Sequence, residues 1–304
     1  MFLYDIFIQG GKMKKISVCV IFILFQNFVF GIEEEDFFKY VKEKRNFFKE
    51  SKVEYKREFI KWEKLEDYLR FKKELEENLN KLDKEKIFNW YLHAKIRENY
   101  IDGNSQNIIS YYQYTDEYPY IRKMRSIKNL NLSNKENNSD SKIKCRKQEF
   151  SWEVGGNYKE RCIEDKKGNS KIKFENADLK NLVKLGIGLG NFDFSLSPLE
   201  RIKVIATTFT FTTDKNLVII KTKDGELYFD SSKSYSTKKL ISYSRSSGEI
   251  IEEALYGAYE KVDNYYVPFF IIDTKFTKDK IESSVVLVEK YQTKGIEEKD
   301  FKID

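Results

Sequence analysis

Histidine is almost absent from this chain: among 304 residues there is one, His93, beside three cysteines and three prolines. A single histidine without clustered thiols cannot build a zinc site. Cys145 and Cys162, the two cysteines beyond Cys19, have no partners at metal-ligand spacing. No G-x-S-x-G turn is present, and His93 lies far in sequence from both cysteines, so no Cys–His nucleophile is legible. Carboxylates are plentiful, yet no pair is marked out for glycosidase chemistry. Asp214, Asp224 and Asp230 fall in turn sequences, where aspartate is expected for backbone reasons. The glycines of 186–190, GIGLG, lack the Lys-Ser/Thr of a phosphate loop and close a helical pattern instead of opening one. The sequence points away from an enzyme and implies no cofactor and no metal.

Charge excludes less. Fifty-five Lys and Arg against 49 Asp and Glu give a formal +6, with 34% of residues charged. That is a salt-rich, mildly basic surface, and it carries no argument for nucleic acid. The most informative segment that is present is 13–31, MKKISVCVIFILFQNFVFG. Lys14 and Lys15 precede an apolar run at 16–25, shorter than the roughly 20 residues of a spanning helix. Val29 and Gly31 suit positions −3 and −1 of a signal peptidase site, and acidic residues follow from Glu33. The segment reads as a secretory signal peptide starting at Met13, with a buried core helix or an uncleaved inner-membrane anchor as the alternatives. Export places the protein in the periplasm and turns Cys145 and Cys162 into a disulfide candidate. Two free thiols are the other possibility.

Three regions follow: the signal at 1–31, a mainly helical region at 32–100 and a strand-rich region at 101–304. A helix is expected over 34–49 from Phe37, Phe38, Val41 and Arg45. A second is expected over 63–82 from the stripe Leu65, Tyr68, Leu69, Leu75, Leu79 and Leu82, broken by Lys72. Residues 50–62 and 84–99 permit helix or strand. From residue 101 the pattern is strands and turns. Strands are expected at 108–114, 149–154 and 158–163, the last two forming a hairpin with Cys145 and Cys162 across from one another. A loop is expected at 129–141, and a short helix at 178–185. Seven further strands fill 202–211, 216–223, 226–230, 240–245, 249–259, 266–276 and 285–290. Connections of a few residues imply an antiparallel meander.

Residues 240–276, LISYSRSSGEIIEEALYGAYEKVDNYYVPFFIIDTKF, carry a strand, turn, strand, then Tyr259, Val262 and Pro268 at the junction with the next strand. This passage resembles that of the LolA-like outer-membrane lipoprotein-sorting family, with Asn264 where those proteins usually have glycine. The resemblance covers about 176–290. It implies an α+β fold: a large antiparallel sheet curved into a half-barrel, helices on its concave face, and here an N-terminal helical extension. It also implies a periplasmic carrier, with no enzymatic activity, that shields lipoprotein acyl chains or another lipid and touches membranes transiently. The residues suited to lining such a hollow are Phe192, Phe194, Phe209, Phe211, Val218, Ile220, Phe229, Ile271 and Phe276, with 185–189 as a mobile plug. The charged region 33–99 is longer than is usual in that family and offers a surface for an envelope protein partner, as an adaptor would use. N-terminal sequencing of the exported protein is expected to start at Ile32; a start at Met1 or Met13 would contradict cleavage.

Overall fold

The computed structural model describes residues 34–79, 81–97, 101–102, 105–114, 121–130, 145–153, 158–164, 170–175 and 210–303. The signal segment, the expected helix at 178–185, the 185–189 stretch and Phe192, Phe194 and Phe209 lie outside these residues, as does nearly all of the strand expected at 202–211.

Helix α1 (Glu34–Phe47) opens with Glu34, Glu35 and Asp36, whose charges complement the positive helix N-terminus. Strand β1 (Glu50–Trp62) follows, then α2 (Leu65–Leu79) and α3 (Lys84–Arg97). Both segments that the sequence left open are thereby settled, one as strand and one as helix. Asp83 starts α3 by accepting the backbone N–H of Lys86 at 3.0 Å. The remaining strands are β2 (Ile101–Asp102), β3 (Gln106–Tyr114), β4 (Ile121–Leu130), β5 (Cys145–Glu153), β6 (Tyr158–Glu164), β7 (Ser170–Glu175), β8 (Thr210–Asp214), β9 (Leu217–Thr222), β10 (Gly225–Asp230), β11 (Ser236–Tyr243), β12 (Ile250–Val262), β13 (Tyr265–Phe276) and β14 (Ile281–Gln292).

All the pairings are antiparallel, in one curved, open sheet ordered β7-β6-β5-β4-β3-β1-β14-β13-β12-β11-β10-β9-β8, with β2 beside β1. The sheet is two meanders, β3–β7 and β8–β14, joined through β1. A boundary at residue 100 does not divide this sheet, because β1 pairs with β14 from Lys52–Gln292 to Trp62–Ile281 and with β3 from Glu50–Gln113 to Arg57–Gln106. In the β5–β6 hairpin, Glu164 stands opposite Cys145 and Gln148 opposite Cys162. The two cysteines are therefore not direct partners across the ladder, contrary to the expectation.

Proline in a central strand removes a ladder donor. Pro268 faces Tyr259, beside Ala258, whose positive φ of 51° distorts β12 without shifting its register on β13. The Tyr259 hydroxyl donates to the Thr237 carbonyl at 2.7 Å and so ties this part of β12 to β11.

The helices divide between the two faces. On β11, Lys239 reaches Glu76 of α2 and Glu253, whereas the next residue, Leu240, stands opposite Leu227, which clusters with Phe37 and Val41 of α1. Successive strand residues point to opposite sides, so α2 covers one face and α1 the other. Tyr68, Phe71 and Leu75 form the buried stripe of α2, while Leu65 and Leu69 are 47% and 48% exposed. The stripe expected from the sequence is thus rotated toward Phe71. Contact is close at the helix end: a Cβ on Gly257 would lie 2.4 Å from Leu79 Cδ2 and 3.0 Å from its Cβ. Gly257→Ala is expected to cost about 1–3 kcal/mol by overpacking, read by urea unfolding. Leu79→Ala in the same chain should recover part of that loss; an equal cost in both backgrounds would contradict direct packing.

Candidate functional site

Two buried glutamates hold the α2–α3 hairpin to the sheet by the same device. Glu253 of β12 accepts the Tyr68 hydroxyl at 2.9 Å and the Lys72 ammonium at 2.6 Å, with Lys239 at 2.9 Å. Glu58 of β1 accepts the Tyr91 hydroxyl at 2.9 Å and Lys95 at 3.0 Å, with Lys56 at 2.5 Å. Each helix therefore presents a tyrosine and, one turn later, a lysine to one strand carboxylate, and a neighbouring lysine of the sheet completes the set. Burial alone would raise both carboxyls; the lysine hydrogen bonds outweigh it and hold them below the ordinary range. These are fastenings, and they occupy the hairpin face fully.

The opposite face carries the candidate site. Val218, Ile220, Leu227 and Phe229 form an apolar wall on β9 and β10, each at most 4% exposed, and α1 lies on it through Phe37 and Val41. Phe37 meets the rings of Phe211, Phe229 and Tyr235 at 5.6, 5.2 and 5.3 Å. Four residues further along the chain from Tyr40, which stacks edgewise on Tyr235, comes Lys44. Its side chain is 1% exposed. It donates to the Ser236 hydroxyl at 2.9 Å and to the carbonyls of Ser234 and Tyr266 at 3.2 and 2.9 Å. Burial lowers its pKa to about 7.

The same face, farther along, holds polar groups from neighbouring strands. Arg57 donates to Ser284 at 2.7 Å, and Ser284 stands opposite Asp273. Burial and then the Glu252 carboxylate push Asp273 up to about 7. Burial also lowers the pKa of Arg57. On β3 and β4, Ser110 bonds Ser126 at 3.1 Å and lies 3.4 Å from the Tyr55 hydroxyl.

The residues expected to line a hollow are distributed as follows. Phe211, Val218, Ile220 and Phe229 come together in the wall beneath α1. Ile271 belongs to the larger cluster, and Phe276 packs against Tyr68 of α2 at 5.4 Å. The odd spacing between Ile271 and Phe276 puts them on opposite faces of β13. His93 is exposed. Lys44, Glu58, Arg57, Glu253 and Asp273 were not singled out in the sequence. Lys44 had a usable signal, since Phe37, Val41, Lys44 and Phe48 recur at helical spacing. Among the described residues there is no group of three or more potential metal ligands, and no helix long and apolar enough to cross a membrane. A separate cleft of about 440 Å³ opens beside Lys84, Asp263, Phe269 and Tyr291; its lysines and acids are mixed and give no preference of sign.

No protein-family model matches the chain, and no curated protein does. Solved structures do. One is described as an outer membrane lipoprotein-sorting protein domain from Vibrio parahaemolyticus, 10% identical, with a TM-score of 0.44 over 86% of this chain and 94% of that one. A LolA superfamily protein from Nitrosomonas europaea is 10% identical, with a TM-score of 0.43 over 90% of this chain and 98% of that one. A DUF1329 family protein from Desulfovibrio piger is 6% identical, with a TM-score of 0.43 over 88% of this chain and 96% of that one.

The carboxyls give the protein a defined pH response. Asp273 keeps its proton in the folded state after the unfolded chain, at about 3.9, has released it. Its contribution is present below that value and lost as the pH rises through about 7. Glu58 and Glu253 act in reverse: they stabilise above about 4.3, and that stability is lost as the pH falls through their lowered values. Asp273→Asn is expected to abolish most of the stability loss between pH 4.5 and 7, read by urea midpoints; an unchanged slope would contradict the assignment.

Proposed function

We propose that the protein is a periplasmic, non-enzymatic carrier that holds an acyl chain, of a lipoprotein or another lipid, against the wall now covered by α1, and so serves outer-membrane lipoprotein sorting. The observation that carries this reading is the cover itself. Burying an apolar chain is worth about 0.8 kcal/mol per CH₂, and Val218, Ile220, Leu227 and Phe229 offer such burial. The helix on top meets them through few side chains, chiefly Phe37 and Val41. It is otherwise tied by aromatic edges and by neutral acceptors around Lys44. A segment held this way is displaceable by a ligand that fills the same surface more completely. An exported protein with this device needs no catalytic group.

A second reading, an envelope adaptor using 33–99, is favoured by Leu65, Leu69 and Leu92, all more than 40% exposed on α2 and α3. The two readings separate in one experiment. Large-to-small changes such as Val41→Ala with Phe37→Ala remove roughly 2–5 kcal/mol each from a packed contact. A carrier with α1 so loosened is expected to take up a fluorescent fatty acid at least tenfold more tightly, measured by titration. Absence of any uptake by either protein, together with no lipid in an organic extract of the periplasmic protein, would contradict the carrier.

A further inference from the structure

We propose that Lys44 is an acid-released latch that fastens α1 over the apolar wall. The proposal rests on the reading that α1 is displaceable. Three features of the geometry support it. Lys44 sits on the stripe of α1 that faces the sheet, between Val41 and Phe48, so it is buried only while the helix is docked. Its acceptors, Ser234, Ser236 and Tyr266, belong to two different segments of the sheet, so even the two N–H groups left on the neutral amine can reach both. All three acceptors are neutral. A buried ammonium in such surroundings gains hydrogen bonds and no compensating negative charge.

The surrounding groups leave the titration to Lys44. On its own helix are Asp36, Tyr40 and Glu43, which act on Tyr235 and Tyr265 across the contact. Burial first, then those neighbours, push both tyrosines above the ordinary phenol range. From the sheet side, Lys233 and Lys261 stand over the Tyr266 ring at 4.8 and 5.6 Å and add positive charge. Tyr259, behind β11, is raised by burial.

The direction follows from linkage. Docked, Lys44 loses its proton near pH 7; released into water it keeps it to about 10.4. Between these values release takes up one proton, so docking tightens about tenfold for each pH unit of rise. Below pH 7 the amine is charged in both states, and the latch is open to its full extent. Acid therefore uncovers the wall.

The test is amide hydrogen exchange of 34–47 in the full exported protein, corrected for intrinsic rates, from pH 6 to 9. Opening of α1 is expected to fall about tenfold per pH unit above 7 and to be flat below. Lys44→Met, which cannot ionise, and Lys44→Arg, which stays charged, should both lose the slope while the sheet amides remain protected. The same slope in either variant overturns the latch. A fluorescent fatty acid titrated in parallel separates the two ideas: tighter uptake at pH 6 than at pH 9 in the wild type supports the latch as a control on binding. A slope in exchange with no uptake at any pH keeps the latch and overturns the carrier; equal uptake at all pH values with no slope overturns the latch alone.

Discussion

The structure depends on one strand having two neighbours. β1 is the first strand among the described residues, and it pairs with the last, β14, on one side and with β3 on the other. Without it the two meanders would each end in an open edge, with its row of unpaired backbone groups. The same strand supplies Glu58, which fastens α3, and Trp62, whose indole N–H donates to Ser283 at 2.7 Å. Helices α2 and α3 leave β1 directly and fold back over the C-terminal meander. The early third of the described chain is thus the part that makes a single sheet of the rest.

That arrangement assigns different tasks to the two faces. The α2–α3 face is closed by carboxylates that reach tyrosine and lysine donors, with rings from Trp62, Tyr68 and Phe71 packed between. Removing one member would leave buried charge behind, so this face resists opening. The α1 face is closed by a helix over apolar side chains, with a lysine that has only neutral acceptors. Desolvation works against that lysine instead of being offset by a carboxylate. One face is fastened by buried carboxylates; the other, in the proposed carrier, is the exchangeable one.

Much of this was legible in the residues, and the exceptions have physical causes. Strands β12 and β13 announce themselves through apolar runs and the Asp263–Asn264 turn between them. β1 does not, because its buried side changes in mid-strand: Ser51, Val53 and Tyr55 are buried, then Glu58, Ile60 and Trp62. A phase switch at Lys56 and Arg57 cancels the two-residue period that a reader looks for. β4 is harder to see: among its residues whose burial is described, the fully buried one is Ser126, a hydroxyl bonded to Ser110. Lys44 and Lys72 each interrupt an apolar stripe. In both cases the interruption marks a side chain that reaches a buried oxygen.

A carrier of this design needs α1 and an acyl chain to occupy the same surface in turn. The direct measurement is the distance between a spin label on α1 and one on β9, by pulsed electron resonance, without and with a saturating fatty acid. A short, narrow distance that lengthens and broadens on adding the ligand is the expected result. A bound ligand that leaves the distance unchanged would show that the wall beneath Phe37 and Val41 is ordinary core, and would contradict the account.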